Sequence, residues 1–182
     1  IGDVAAYPSI AELPEVPDCV VVAVPREGVE AVVRDCAAAG VGGAVIYSSG
    51  FGETGRPEYI ALQQRIVAVA RQAGMRLCGP NSIGFANYGR RALISFFGSL
   101  GDGQMDSAPI GLISQSGALG NALSQAMACG VSFSHCLSAG NSCDVDVADL
   151  VSYLAEDPGC KVIACLFEGV ADPTRMIAAA GI

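Results

Sequence analysis

Ser114, Gln115, Ser116 and Gly117 end an apolar run, Ile110 to Ile113, and are followed by Leu119, Leu123 and Met127 at four-residue steps. That order predicts a strand, a tight turn and a helix start. Ser114 and Ser116 are good N-cap residues, and Gly117 lets a backbone approach a ligand closely. A helix start exposes free N–H groups and the positive end of the helix dipole, which together suit an anion such as phosphate. Taken alone, the segment is equally an ordinary strand-to-helix turn with a serine cap. Five further segments of small and hydrogen-bonding residues follow apolar runs: Val24-Pro25, Ser48-Ser49-Gly50-Phe51-Gly52-Glu53, Gly79-Pro80-Asn81-Ser82, residues 139–144, and Glu168-Gly169. In open parallel sheets, ligands bind outside the carboxyl ends of the strands. Each segment by itself is a turn; six at strand ends read as one extended site.

The elements that must position them alternate. Continuous apolar runs predict buried parallel strands at 18–25, 43–48 and 75–79, with helices over 27–39 and 57–73 between them, closed by Gly40 and Gly74. Residues 86–108 break this order, with Phe96-Phe97 as a short strand, and the Gly/Asp/Ser-rich stretch 98–108 marks a domain boundary. From Ile110 the pattern resumes: helix 117–129, strand 131–138, loop 139–144, helix 145–156, strand 161–167 and helix 173–180. Strand and helix in this alternation mean doubly wound α/β sheets.

The 182 residues carry a net charge of −8 and 52% hydrophobic residues. That charge, with Lys161 as the one lysine, argues against a nucleic-acid surface but not against anions held by backbone N–H groups. No apolar run approaches the roughly 20 residues of a membrane span. The start, Ile1-Gly2-Asp3, shows no methionine, basic stretch or cleavage site, so it is not read as a signal peptide but as the edge of a piece of a longer protein. The 8 cysteines form no Cys-x-x-Cys pair and do not cluster with the single histidine, His135, which speaks against zinc. Cys19, Cys36, Cys78 and Cys165 read as small buried hydrophobes in a reducing, cytoplasmic setting. His135 reads as a strand residue. Asp144 and Asp146 beside Asn141 read as caps of the following helix rather than metal ligands. Glu53 is either a carboxylate favoured by a helix dipole or a site residue. Ser116 as a nucleophile lacks a histidine base.

In order and spacing, six stretches resemble the NDP-forming acyl-CoA synthetases, the group that includes the α subunit of succinyl-CoA synthetase. They are VVVAVP (20–25), SSGFGETG (48–55), AGMRLCGPNSIGFAN (73–87), GLISQSGALG (111–120), SAGNSCDVD (138–146) and YLAEDPGCKVIACLFEG (153–169). Such enzymes join a carboxylic acid to CoA at the expense of ATP or GTP, through an acyl phosphate and a phosphorylated histidine. The resemblance implies a Rossmann-like CoA-binding domain over 1–106, truncated at its start, and a flavodoxin-like ligase domain over 107–182, truncated at its end. Val24, Pro25, Ser49, Gly50, Phe51 and Glu53 would lie along CoA. Asn81 and Ser82 would lie near its thiol, with Ser82 where many relatives carry cysteine. Ser114, Ser116 and Gly117 would hold the phosphate of the phosphohistidine, and Glu168 would orient that histidine. The first Gly-rich turn of the family, its phosphorylated histidine, and the ATP-grasp domain or subunit that binds ATP/ADP and magnesium would lie outside this chain. The fragment alone would then not complete the reaction. The expected partners are a small carboxylic acid, CoA and that ATP-grasp part, within an oligomer. Two other readings stand beside it. One is an acyl-CoA-binding regulatory module of a synthetase-like protein acetyltransferase. The other is a plain NAD-binding Rossmann domain, which the missing Gly-x-Gly-x-x-Gly fingerprint disfavours.

Overall fold

The structure, a computed structural model, describes residues 2–96 and 108–181. Three parallel strands, β1 (Cys19–Val22), β2 (Gly43–Ile46) and β3 (Arg76–Cys78), form the first sheet in the order β1-β2-β3. Helices α1 (Arg26–Ala39) and α2 (Pro57–Gln72) connect them. Gly40 ends α1 in the left-handed conformation at φ 81°, which costs glycine no Cβ clash. Pro57 opens α2, where its missing N–H has no acceptor to lose. Val22, Val29, Val33, Ile46, Ile66 and Leu77 form the core between sheet and helices.

The second sheet has five strands in the order β5-β4-β7-β6-β8. β6 (Ile110–Ser114) lies parallel to both β7 (His135–Ser138) and β8 (Val162–Leu166). Two strands fall in the stretch where the sequence pattern breaks. β4 (Gly84–Asn87) runs antiparallel to β5 (Ala92–Ser95) and to β7. Phe96 lies just beyond β5 rather than inside a strand. Each of these strands is four residues long and shows no clean alternation, so periodicity had nothing to register. Residues 84–95 thus build the sheet of the second unit. The boundary expected at 106/107 lies outside the described residues.

Helix α3 (Gly117–Ser124) is shorter than the expected 117–129, because Gln125–Cys129 tightens into a 3-10 turn that Gly130 closes. β7 begins at His135 rather than at Val131. Helix α4 (Val147–Glu156) starts on Asp146, and α5 (Pro173–Ala180) starts on Asp172. Ile113, Leu137, Val147, Val151 and Leu154 pack between this sheet and α4. All eight cysteines are free thiols; Cys36 is buried, but Cys19, expected inside, is exposed at the start of β1. Among the described residues no helix is long and apolar enough to cross a membrane.

Candidate functional site

The loops that leave the strand ends of both sheets meet. After β2, Ser48 passes its hydroxyl hydrogen bond to the Val24 carbonyl, and Gly50 turns the chain at φ 95°. Phe51 drops its ring into the first core, fully buried. The Glu53 carboxylate then closes the loop by accepting from the N–H groups of Gly50 at 2.5 Å and Phe51 at 3.0 Å. After β3, Asn81 takes a left-handed conformation at φ 57°, and its N–H bonds to the Ser48 carbonyl at 2.9 Å.

The loop after β7 runs along this corner. The N–H groups of Asn141, Cys143 and Val145 donate to the carbonyls of Pro80 (2.9 Å), Gly79 (3.2 Å) and Leu77 (3.0 Å). Gly140, at φ 55°, makes the approach possible: a Cβ there would sit 2.4 Å from the Pro80 carbonyl oxygen. The Asn141 amide crosses to Glu53 at 2.5 Å and to Gln63 Oε1 at 3.0 Å. Asp144, whose side chain is fully buried, receives Arg71 at 2.7 Å, Arg76 at 3.0 Å and the Leu77 N–H at 2.9 Å. The expectation that Asp144 and Asp146 both cap α4 therefore needs correcting for Asp144, which instead ties the two units. Asp146 is the cap, in a reciprocal box with Asp149.

After β6, the Ser114 hydroxyl donates to the Ser116 carbonyl at 2.7 Å, and Ser116 Oγ accepts from the Leu119 N–H at 3.3 Å as the N-cap of α3. The N–H groups of Gly117 and Ala118, in the first turn, have no intrahelical acceptor. Gly117 is close to protein as well as to the opening: a Cβ on it would sit 2.7 Å from Ile83 Cγ2.

Between these loops lies an open cleft of about 900 Å³. Glu53, Asn81, Ser116, Gly117 and Glu168 line it together. Ser82 and Ser114 lie just behind it, buried; the Ser82 hydroxyl donates to the Ser138 carbonyl at 2.8 Å and accepts from the Gly84 N–H at 3.0 Å. Val24, Pro25, Ser49, Gly50 and Phe51 belong to the adjoining loops but not to the cleft lining. Among the polar lining residues, Gln63 was missed from sequence, while Gln115 and Asn141 fell within the strand-end segments but were given no role of their own. A signal for Gln63 existed: it is a polar residue one turn before buried Ile66 on the same face of α2.

The electrostatics follow the hydrogen bonds. Burial pushes the Glu53 carboxyl up, but the bonds from Asn141, Gly50 and Phe51 outweigh it and hold the group below its ordinary 4.5. For Asp144, burial is likewise outweighed by the Leu77 N–H and the two guanidiniums. Burial pushes the Cys78 thiol to about 11, so it is protonated and no nucleophile at neutral pH. His135, in β7, is buried with Nδ1 3.1 Å from Ser134 Oγ and does not line the cleft; burial lowers its pKa and favours the neutral ring. Among the described residues no group of three or more metal-ligating side chains occurs.

A family model described as a CoA binding domain matches residues 1–88, and one described as a succinyl-CoA ligase like flavodoxin domain matches residues 107–181. The α subunit of an ADP-forming acetate–CoA ligase II from Pyrococcus furiosus is 36% identical over 178 residues, which is 97% of this chain and 38% of that protein. A trans-feruloyl-CoA synthase from an unknown prokaryotic organism is 39% identical, over 96% of this chain and 25% of its own length. A dinucleotide-forming acetyl-coenzyme A synthetase 1 from Ca. Korarchaeum cryptofilum, solved with phosphate and ADP, superimposes with a TM-score of 0.88 at 34% identity, over 99% of this chain and 38% of that one. The chain thus spans less than two fifths of the length of these relatives.

Proposed function

Because this chain belongs to the NDP-forming acyl-CoA synthetases, we propose that it supplies part of the CoA-side region of a ligase that makes an acyl-CoA thioester from a carboxylic acid, CoA and ATP. The observation that carries this reading is the single cleft into which the α3 helix start, Glu168 and Asn81 all open. A phosphoryl group and a thiol must meet for such a reaction, and the cleft brings an anion-binding helix start and a CoA-domain corner to one space.

The fit to CoA can be tested on the loops themselves. The Gly50 and Phe51 N–H groups already bond Glu53, so they are not free for a phosphate. The cleft beyond them is lined by uncharged Asn81, Ile83 and Asn141 as well as by Glu53, which suits the pantetheine arm and thiol rather than the nucleotide end. CoA supplies the thiol that takes the acyl group. Val24, Pro25, Ser49, Gly50 and Phe51 shape the approach to the cleft. Ser82 braces the corner through Ser138, and Asn81 faces the thiol end. Ser114 holds the turn shape through the Ser116 carbonyl, leaving the Gly117 and Ala118 N–H groups and the dipole to take a phosphoryl oxygen. Glu168 accepts a ring N–H from a histidine supplied by the parent protein, which leaves the other ring nitrogen as the phosphoryl acceptor.

ATP/ADP and magnesium are bound by an ATP-grasp domain or subunit outside this chain, and the parent acts in the cytoplasm within an oligomer. The ligase names of the relatives favour this reading over a regulatory acetyl-transferase module. Those names span acetate and ferulate, so the acid pocket is not set by what they share with this chain. The test is a titration of the full-length protein with a panel of carboxylic acids, reading ADP release. ADP release beyond one equivalent per protein that requires both an acid and CoA supports the proposal; continued release indifferent to both overturns it.

A further inference from the structure

Gln115 lies between the two serines of the helix-start turn, and every hydrogen-bonding position of its side chain is used. Oε1 accepts from the Glu168 N–H at 2.6 Å and from the Gly169 N–H at 3.1 Å. Nε2 donates to the Gly169 carbonyl at 2.9 Å and to Ser142 Oγ at 3.2 Å. The amide can be oriented only this way, since the reverse would face NH2 donors with two N–H donors. One side chain therefore fastens the loop after β8 to the turn after β6 and to the loop after β7. The Glu168 carboxylate itself is exposed and has no bonding partner among the described residues. The space it can reach is bounded by where its backbone sits, and Gln115 grips that backbone through the N–H groups of Glu168 and Gly169 and the Gly169 carbonyl.

We propose that Gln115 is the positioning residue for Glu168: it acts on the reaction only by holding that carboxylate beside the α3 helix start. This rests on the functional reading above. Shortening Gln115 to alanine would free the loop while leaving the α3 cap, Ser116, and the Asn81 corner unaltered.

The experiment uses the full-length protein with Gln115→Ala, Glu168→Gln and the double variant. Phosphoryl uptake from ATP and the KM for CoA are measured on each, together with hydrogen exchange of the peptide spanning 167–170. Gln115→Ala should slow phosphoryl uptake tenfold or more with the KM for CoA within twofold of the parent. It should speed exchange of the 168 and 169 amides while exchange in β6 and β7 stays as in the parent. In the Glu168→Gln background, Gln115→Ala should cost no more than about twofold further. Losses that multiply, or unchanged exchange at 168–169, overturn the inference. If Glu168→Gln alone takes up phosphate at the parental rate, the role given to Glu168 fails. The exchange result then still decides whether Gln115 holds the loop.

Discussion

The side-chain amide of Asn141 donates to the carboxylate of Glu53 at 2.5 Å, although 88 positions of chain separate them. This bond stitches the loop after β7 to the loop after β2 and narrows one wall of the cleft. Its effect on Glu53 is measurable. The folded carboxyl is held below its ordinary 4.5, so its contribution to stability is present above that value and is lost as the pH falls through the lower folded one. Asn141→Ala should raise the Glu53 titration midpoint and shift acid unfolding to higher pH. An NMR titration of the Glu53 carboxyl that is the same in both proteins would contradict the assignment.

Asp144 is the buried tie between the units. Its carboxylate satisfies the Leu77 N–H and meets two guanidiniums that remain largely solvated. Asp144→Ala should cost roughly 2–3 kcal/mol, because charge-assisted bonds are lost and a buried N–H is left without an acceptor. Urea unfolding checks this. A loss below about 0.5 kcal/mol would mean that the carboxylate is not the tie described.

Gly140 combines a left-handed φ of 55° with a backbone contact that leaves no room for a Cβ. Gly140→Ala should destabilise by on the order of 1–3 kcal/mol, the usual range for a strained backbone position. Gly169, where a Cβ would meet nothing within 4 Å, provides the contrast, and its alanine variant should unfold close to the parent temperature. Equal melting temperatures for the two variants would refute the steric account.

Ser116 caps α3 through the Leu119 N–H. Ser116→Ala should cost about 1 kcal/mol of stability. In the full-length protein it should also weaken phosphoryl uptake while leaving CoA affinity unchanged. A loss of stability without any loss of uptake would confine Ser116 to capping.

Much of this was legible in the chain before its coordinates. The apolar runs at Gly43–Ile46 and Ile110–Ser114 became parallel strands with largely buried side chains, because a strand covered on both faces has no polar side, whereas Cys19–Val22 became a parallel edge strand that leaves Cys19 and Val21 exposed. The strand-end loops were marked by their glycines, asparagines and serines. What escaped was long-range. β4 and β5 are short strands whose pairing, Phe85 with Ile94 and with Leu137, is decided by tertiary neighbours rather than by their own pattern. Asp144 looked like a cap because it stands two residues before one, and only the approach of Arg71 and Arg76 from the first unit shows it to be a tie. Gln115 stood in full view within the helix-start turn, but its partners lie 27 to 54 positions away. No local signal reports such a contact.

The most direct measurement follows the γ-phosphate of labelled ATP on the full-length protein. The cleft predicts an acid-labile protein label that persists with CoA alone and is discharged, with release of inorganic phosphate, when a carboxylic acid and CoA are both added; Glu168→Gln should slow the label's formation far more than it weakens CoA affinity. A protein that turns over acid and CoA without ever carrying such a label, or a label that Glu168→Gln leaves untouched, would contradict it.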